Sequence, residues 1–317
     1  MRRFRHETPQ GDMAALEFGD PAGRLAALWI HATGFNAMTY QSILAPLGLR
    51  TKVQAVDLRG HGRTTLPAIP GKLKSWKRHR NDVMDFLERQ APTKPVVLAG
   101  HSMGATVALL VAGAMPDRVA GLVLVDPVIM QPSFYRGMHL LPWMRGGSHM
   151  VRQAKRRRNQ FGSQQEILDT YRERRAFKSW RDPFLSDYII DGFDRFDTNE
   201  PDSDQQDWRL LCSPKYEAAT FAAQRNRPWG ALAVVRKHKI PITVLRPERE
   251  SVLSDKVAAR LSRKCPHLVL KERVNTSHFL PMEAPYDVRD QLSAYISSLI
   301  EGIPDADVGA MSRSLRA

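Results

Sequence analysis

The pentapeptide Gly100-His101-Ser102-Met103-Gly104 is the stretch of this chain whose residue types and spacing most directly imply chemistry. The apolar, β-branched run Pro95-Val96-Val97-Leu98-Ala99 precedes it, and an alanine-rich run from Ala105 to Met115 follows. Strand, tight turn and helix with a serine at the apex form a nucleophile elbow, which presents the hydroxyl for attack. Glycine at 100 and 104 is expected where strand and helix approach too closely for a Cβ. A serine hydroxyl also needs a neighbouring base with a pKa near neutrality, and histidine meets that requirement unaided. Of the ten histidines, His31, His61 and His101 lie in or beside glycine-containing motifs, where packing and loop bracing are the expected roles. His278 stands in a loop, Asn275-Thr276-Ser277-His278, directly after a strand-like run.

The elements that must position these groups read as follows. Met13–Phe18 and Leu25–Ile30 flank the turn cluster Gly19-Asp20-Pro21-Ala22-Gly23 and are expected to form a hairpin-like pair of strands. Val53–Leu58 is the next strand, and Asp57 and Arg59 at its end are expected to brace the loop by pairing with each other and with backbone groups. The spacing of Trp76, Val83, Phe86 and Leu87 predicts a helix from Ser75 to Gln90 with Ser75 as N-cap. Val119–Val125 is a nearly continuous apolar strand ending in Asp126-Pro127.

From about Val128 to Trp229 the alternation stops. Breaks at Pro132, Pro142, Gly146-Gly147 and Pro183, with Trp143, Trp180, Trp208 and Trp229, predict a mainly helical insertion whose aromatics form its own core. Alternation then resumes: strand Ile240–Leu245, an exit loop through Glu248, Glu250 and Ser251, a helix capped by Ser254, strand Leu268–Val274, and a last helix opened by Pro285. Gly302–Ala317 shows no pattern and reads as a mobile tail. Strand–helix alternation with one interruption predicts an α/β fold with a mostly parallel, doubly wound sheet. In such sheets functional residues gather at the carboxyl ends of strands. His31–Gly34, Ser102, Asp126, Glu250 and His278 all fall at such ends.

The segments His31-Ala32-Thr33-Gly34-Phe35, Asp57-Leu58-Arg59-Gly60-His61-Gly62, Gly100–Gly104 and Ser277-His278-Phe279-Leu280-Pro281-Met282-Glu283 together resemble the α/β-hydrolase superfamily, in its lidded serine esterase and lipase-like branch. The resemblance implies the α/β-hydrolase fold with a helical lid inserted after the sixth strand. Residues 1–129 and 233–301 would be core, 130–232 lid and 302–317 tail. It implies the order serine, acid, histidine, with Ser102 as nucleophile, Glu250 as acid and His278 as base. Asp126 is the rival acid and Glu248 a third candidate. The oxyanion hole would use the backbone N–H groups of Thr33 and Met103. Two departures stand out: Ala32 where the family has glycine, and Glu250 where it has aspartate. Serine at 102 argues against the branches that use a carboxylate nucleophile.

The implied reaction is hydrolysis of a carboxylic ester with a small or medium acyl group, through an acyl-enzyme. The same residues would also serve C–C, lactone, thioester or amide cleavage, or cofactor-free haloperoxidase or perhydrolase chemistry. A third reading is a catalytically silent binding protein. No cofactor is expected, and no metal, since no Cys/His cluster has ligand spacing.

Composition narrows the setting. The chain of 317 residues carries a formal net charge of +14, unevenly placed. Residues 136–181 hold 12 Lys and Arg against 3 acids, and residues 182–207 hold 1 Arg against 9 acids, so the two blocks are expected to pair. The run Lys155-Arg156-Arg157-Arg158 has no aromatic interleaving and reads as a solvated helix face, not a nucleic-acid site. Two cysteines give no disulfide framework, no apolar run reaches bilayer length, and no apolar region follows the basic N-terminus. A cytoplasmic protein acting on a small-molecule ester is the expectation, with no nucleic-acid partner and no membrane span.

Overall fold

The computed structural model describes residues 1–140, 148–196 and 207–301. Its centre is an eight-stranded sheet. The strands are β1 (Arg2–Thr8), β2 (Gly11–Phe18), β3 (Leu25–Ile30), β4 (Lys52–Val56), β5 (Val96–His101), β6 (Val119–Val125), β10 (Ile242–Pro247) and β11 (Leu268–Arg273). Their order across the sheet is β1-β2-β4-β3-β5-β6-β10-β11. β1 and β2 pair antiparallel, β2 pairs antiparallel with β4, and every pairing from β4 to β11 is parallel.

Burial explains why the central strands read as unbroken apolar runs. Along β5, Val96 and Leu98 face one apolar cluster while Val97 and Ala99 face the other. The first cluster is closed by helices Lys77–Gln90, Met103–Ala114, Pro228–Lys237 and Asp255–Lys264, the second by the Met38–Leu49 segment and helix Pro285–Glu301. A strand covered on both faces has no solvent side to mark with polar residues.

Three expectations about these elements need correction. β2 and β3 are not a hairpin, because β4 lies between them and bonds to both. The helix expected from Ser75 starts at Lys77, with Trp76 at its N-cap position and no side-chain cap. Ser75 lies one residue further out, bridging to Gln224 while its Oγ accepts the Lys77 N–H at 3.4 Å, and Asn226 Oδ1 of the inserted segment takes the Trp76 N–H at 2.8 Å. Asp57 and Arg59 do not pair: Arg59 makes a bidentate ion pair with Asp82, while Asp57 accepts the N–H groups of Ala37 and Arg63.

Between β6 and β10 lie helices Pro132–Leu140, His149–Lys155, Gln164–Arg172, Phe184–Gly192 and Pro214–Ala222. Beside these helices the segment holds a small antiparallel sheet that the sequence reading lacks: β7 (Gln160–Phe161), β9 (Asp207–Leu210) and β8 (Phe193–Phe196), in that order. It has its own apolar cluster, built on Phe161, Ile167, Tyr171, Tyr188 and Phe193, against which Trp180 and Trp208 pack. Trp229 instead packs on the core and donates to the Met130 carbonyl at 2.8 Å. Pro142, Trp143, Gly146, Gly147 and the tail 302–317 lie outside the described residues.

Asp187, Asp191 and Asp194 of the acidic block are held by core residues. Within the described part of the acidic block, Asp191 binds Arg63 and Arg3, Asp194 binds Arg63, and Asp187 accepts from Gln41 and Ser42. The acids therefore fasten the insertion to the core. Of the basic run, Lys155, Arg156 and Arg158 are exposed as expected, Arg158 pairing with Glu166 and stacking over Phe161, but Arg157 turns inward, half-buried against Glu217 at 2.8 Å. Among the described residues no helix is long and apolar enough to cross a membrane.

Candidate active site

Ser102 sits at the turn between β5 and the helix Met103–Ala114, with φ 56° and ψ −118°. A left-handed φ on a non-glycine residue stores strain that the surroundings must hold. Here the Ser102 N–H bonds to Val125 O at 2.8 Å and its carbonyl starts the helix ladder through Thr106. The flanking glycines play the expected part: a Cβ on Gly100 would lie 2.6 Å from Ile30 O, and one on Gly104 would collide with the same carbonyl.

Asp126 ends β6, next to β5 in the sheet, and is fully buried. Its Oδ2 accepts from His278 Nδ1 at 2.7 Å and from the Val252 N–H at 3.1 Å, and its Oδ1 accepts from Ser251 Oγ at 2.6 Å. Burial works to raise the Asp126 pKa, but the hydrogen bond and charge of His278, with the Ser251 and Val252 donors, outweigh it and hold the carboxyl below its usual range. Asp126 is thus an ionised acceptor whose contact with Nδ1 leaves Nε2 as the ring nitrogen free to face a substrate or a nucleophile.

Glu250 is not brought to His278. Its side chain is 67% exposed and lies 3.9 Å from Arg175. The loop after β10, where the resemblance expects the acid, carries instead the Ser251 and Val252 donors that hold Asp126. Glu248, the third candidate, accepts the Asn275 N–H at 2.7 Å and ties this loop to the one bearing His278.

His101 does more than pack. A carbonyl can only accept, so His101 Nε2 carries a proton and donates to His278 O at 2.7 Å. Nδ1 then accepts from Tyr40 Oη at 2.9 Å, and that oxygen accepts the Ala32 N–H at 3.3 Å. Burial, then the neighbouring His278, push the His101 pKa down to about 3, which keeps this tautomer neutral. The relay joins the His278 loop to the loop after β3. That loop is fixed further by His31, which bonds to Ala32 O and accepts the Leu58 N–H. Tyr40 and Ser251 carry no sequence signal for these roles, because only the fold brings them near Asp126 and His278.

Thr33 and Met103 meet across the same corner, with Thr33 Oγ1 3.4 Å from Met103 Sδ. Met103 opens a helix, so its N–H has no carbonyl one turn back to bond. Above this corner Trp180 of the insertion joins two core rings in an aromatic wall: Phe279 lies 5.8 Å from the His278 ring, Trp180 5.5 Å from Phe279, and Phe35 5.5 Å from Trp180. Glu217 Oε1 would lie 2.6 Å from a Cβ on Gly34, so the insertion also reaches the loop after β3. Among the described residues no cluster of three or more His, Cys, Asp or Glu could hold a metal ion.

The model of the alpha/beta hydrolase family matches residues 27–291. Among curated proteins, the chain is 33% identical over 120 residues to the lipase LipV of Mycobacterium tuberculosis, covering 37% of this chain and 42% of LipV. It is 30% identical over 124 residues to human monoglyceride lipase, covering 38% of this chain and 41% of that one. The matched stretch therefore spans less than half the length of either relative. Among solved structures, E-2-(acetamidomethylene)succinate hydrolase superposes with a TM-score of 0.70 at 20% identity, covering 95% of this chain and 99% of that one. A thioesterase domain from the curacin biosynthetic pathway gives 0.73 at 17%, covering 92% and 99%. With the matching family model spanning most of the chain, from β3 to the last helix, the protein belongs to the alpha/beta hydrolase family.

Proposed function

We propose that the protein is a serine hydrolase that cleaves carboxylic esters, with Ser102 as nucleophile, His278 as base and Asp126, not Glu250, as the acid. The observation that carries this reading is the 2.7 Å contact between His278 Nδ1 and the buried, triply bonded Asp126, next in the sheet to the strained Ser102 turn. Ser102 Oγ attacks the carbonyl as His278 Nε2 takes its proton. The Met103 and Thr33 N–H groups receive the oxyanion, and His278 returns the proton to the leaving alcohol. Water, activated by the same imidazole, then releases the acid. Asp126 holds the ring in one tautomer and stabilises the imidazolium.

The relatives named lipase support ester substrates. The aromatic wall of Phe35, Trp180 and Phe279 supports an apolar group beside the scissile bond. Arg157 adds no net charge there, since Glu217 neutralises it. A panel of p-nitrophenyl esters of graded acyl length and charge, with a fluorophosphonate label, tests the reading. Hydrolysis fastest on uncharged apolar acyl groups, with covalent label on Ser102, is the expected result. No label and no turnover would leave a silent family member.

A further inference from the structure

The loop after β3 carries Thr33, one of the two backbone donors assigned to the oxyanion, and a tight turn sets its shape. The Phe35 N–H bonds to Ala32 O at 3.1 Å, and Gly34, in the third position of that turn, has φ 79°. A left-handed φ at this position is what glycine supplies. A Cβ on Gly34 would also lie 2.6 Å from Glu217 Oε1 and 3.3 Å from Arg157 Nη1. Both neighbours come from the insertion, Glu217 on helix Pro214–Ala222 and Arg157 just after helix His149–Lys155.

Neither side chain is free to swing away from the turn. Arg157 Nη1 donates to Glu217 Oε2 at 2.8 Å, and its Nε and Nη2 donate to Tyr171 Oη at 3.1 and 2.8 Å. Nη2 also donates to Tyr188 Oη, and the guanidinium lies 5.5 and 5.9 Å from the centres of the two phenol rings. Tyr188 grips the same loop a second time. Its carbonyl accepts from Asn36 Nδ2 at 2.9 Å, two residues beyond Gly34, while Asn36 Oδ1 takes the Thr39 N–H and hydroxyl. Glu217, Tyr171, Tyr188 and Asn36 are all buried. An ion pair withdrawn from water adds little net stability, because desolvation offsets the attraction. What this one contributes is placement: a braced carboxylate pressed against the turn that bears Thr33.

We propose that Glu217, braced by Arg157, is a positioning residue for the oxyanion loop, so that the hole takes its working geometry only with the insertion seated. This rests on the ester-hydrolase reading and adds two residues to it. A misplaced donor weakens only the bond made to the tetrahedral species, so its loss falls on kcat and spares KM. The two halves of the pair carry unequal weight. Without Arg157, an uncompensated carboxylate stands next to the donor residue and opposes the developing oxyanion. Without the charge of Glu217, a cation stands there instead, and an amide of the same size still accepts from Arg157.

The test is kcat, KM and urea midpoint of the full chain on a p-nitrophenyl ester, with the Ki of a trifluoromethyl ketone whose adduct on Ser102 carries the oxyanion. Glu217→Gln should change kcat by less than about 3-fold, while Arg157→Gln and Glu217→Ala should lower it ~10- to 100-fold with KM within about 2-fold. The ketone Ki should rise in step with the loss in kcat/KM, as for any bond made to the tetrahedral species. Gly34→Ala should cost less in the Glu217→Ala background than in the wild type, because the carboxylate it strikes is gone. Should Glu217→Ala prove too unstable to assay, the contrast between Arg157→Gln and Glu217→Gln decides. Urea midpoints lowered alike from either side of the pair with kcat unmoved, or Gly34→Ala and Glu217→Ala fully additive in kcat, would overturn the proposal. A wild-type chain without Ser102-dependent turnover would instead fail the ester-hydrolase reading, and this role with it, a result distinct from an active enzyme indifferent to Glu217 and Arg157.

Discussion

Each side chain in the candidate site is set by what its neighbours leave unpaired. Asp126 stays ionised while fully buried because three donors converge on it, so its removal touches both the imidazole and the loop after β10. Ser102→Ala should lower kcat on p-nitrophenyl esters by on the order of 10⁶, with the fold intact by circular dichroism. Asp126→Asn should cost ~10⁴ in kcat, because an amide presents its N–H₂ or its oxygen without charge and no longer fixes the tautomer. Glu250→Gln, at an exposed side chain, should change the rate by less than about 3-fold. If the two ranked the other way, the acid would be Glu250 and the His278–Asp126 contact merely structural.

At the scale of elements, the site is three loops held in register by side chains from elsewhere. Tyr40, on the segment after β3, and His101, on β5, carry a hydrogen-bond relay from the Ala32 N–H to the His278 carbonyl. Tyr40→Phe removes the middle link and strands a buried imidazole nitrogen. It should lower Tm by a few degrees, on the order of 1–3 kcal/mol. It should also lower kcat about 10-fold with KM nearly unchanged, since two loops lose their mutual position while the aromatic wall keeps its shape. A loss of stability with full kcat would show that the relay props the fold and does not position the imidazole. The same scale explains β1, which has no forecast in the sequence: Arg2–Thr8 is an edge strand, mostly exposed, and pairs only with β2. Edge strands can be charged throughout, so hydrophobic periodicity passes over them.

Over the whole molecule, two features govern stability. The insertion is fastened to the core at Asp191, which is buried and binds both Arg63 and Arg3. Asp191→Ala leaves Arg3 without its carboxylate and Arg63 with only the exposed Asp194, and should destabilise by about 1–3 kcal/mol, read as a lower urea midpoint. It should also speed cleavage by trypsin within the insertion. The second feature is a set of buried neutral histidines. Burial pushes His61 down to about 4 and His79 and His101 down to about 3, and His31 lies well below its ordinary value. The unfolded chain protonates these four near pH 6.5, the folded chain does not, so stability falls as pH drops below about 6.5. Asp57 opposes this: burial raises it to about 7, so folding retains its proton down to the ordinary carboxylate range and gains stability as pH falls from 7 toward 4. The four histidines outnumber the carboxyls that oppose them, so unfolding takes up protons near pH 5 and stability falls as pH drops. Urea midpoints measured from pH 7 to 5 should drop steeply, and a flat profile would mean these imidazoles titrate normally in the fold.

The sequence by itself determined whatever depends on neighbours along the chain. Gly100–Gly104 between an apolar strand and an alanine-rich helix is a local pattern, and so are the doubly covered strands and the loop bearing His278, which is why α/β architecture and the sharp turn at Ser102 were legible without coordinates. Which carboxylate meets His278 was not. Asp126 and Glu250 both end strands, and only the sheet order, with β6 beside both β5 and β10, puts Asp126 under His278 while the donors of Ser251 and Val252 close on it from the next loop. The same holds for Arg157, a member of a basic run in the sequence and a half-buried partner of Glu217 in the fold. Charge and side-chain type are written residue by residue, but whether a charge meets water or an opposite charge is set by chain segments 60 or 152 positions away, and no window along the sequence contains both partners.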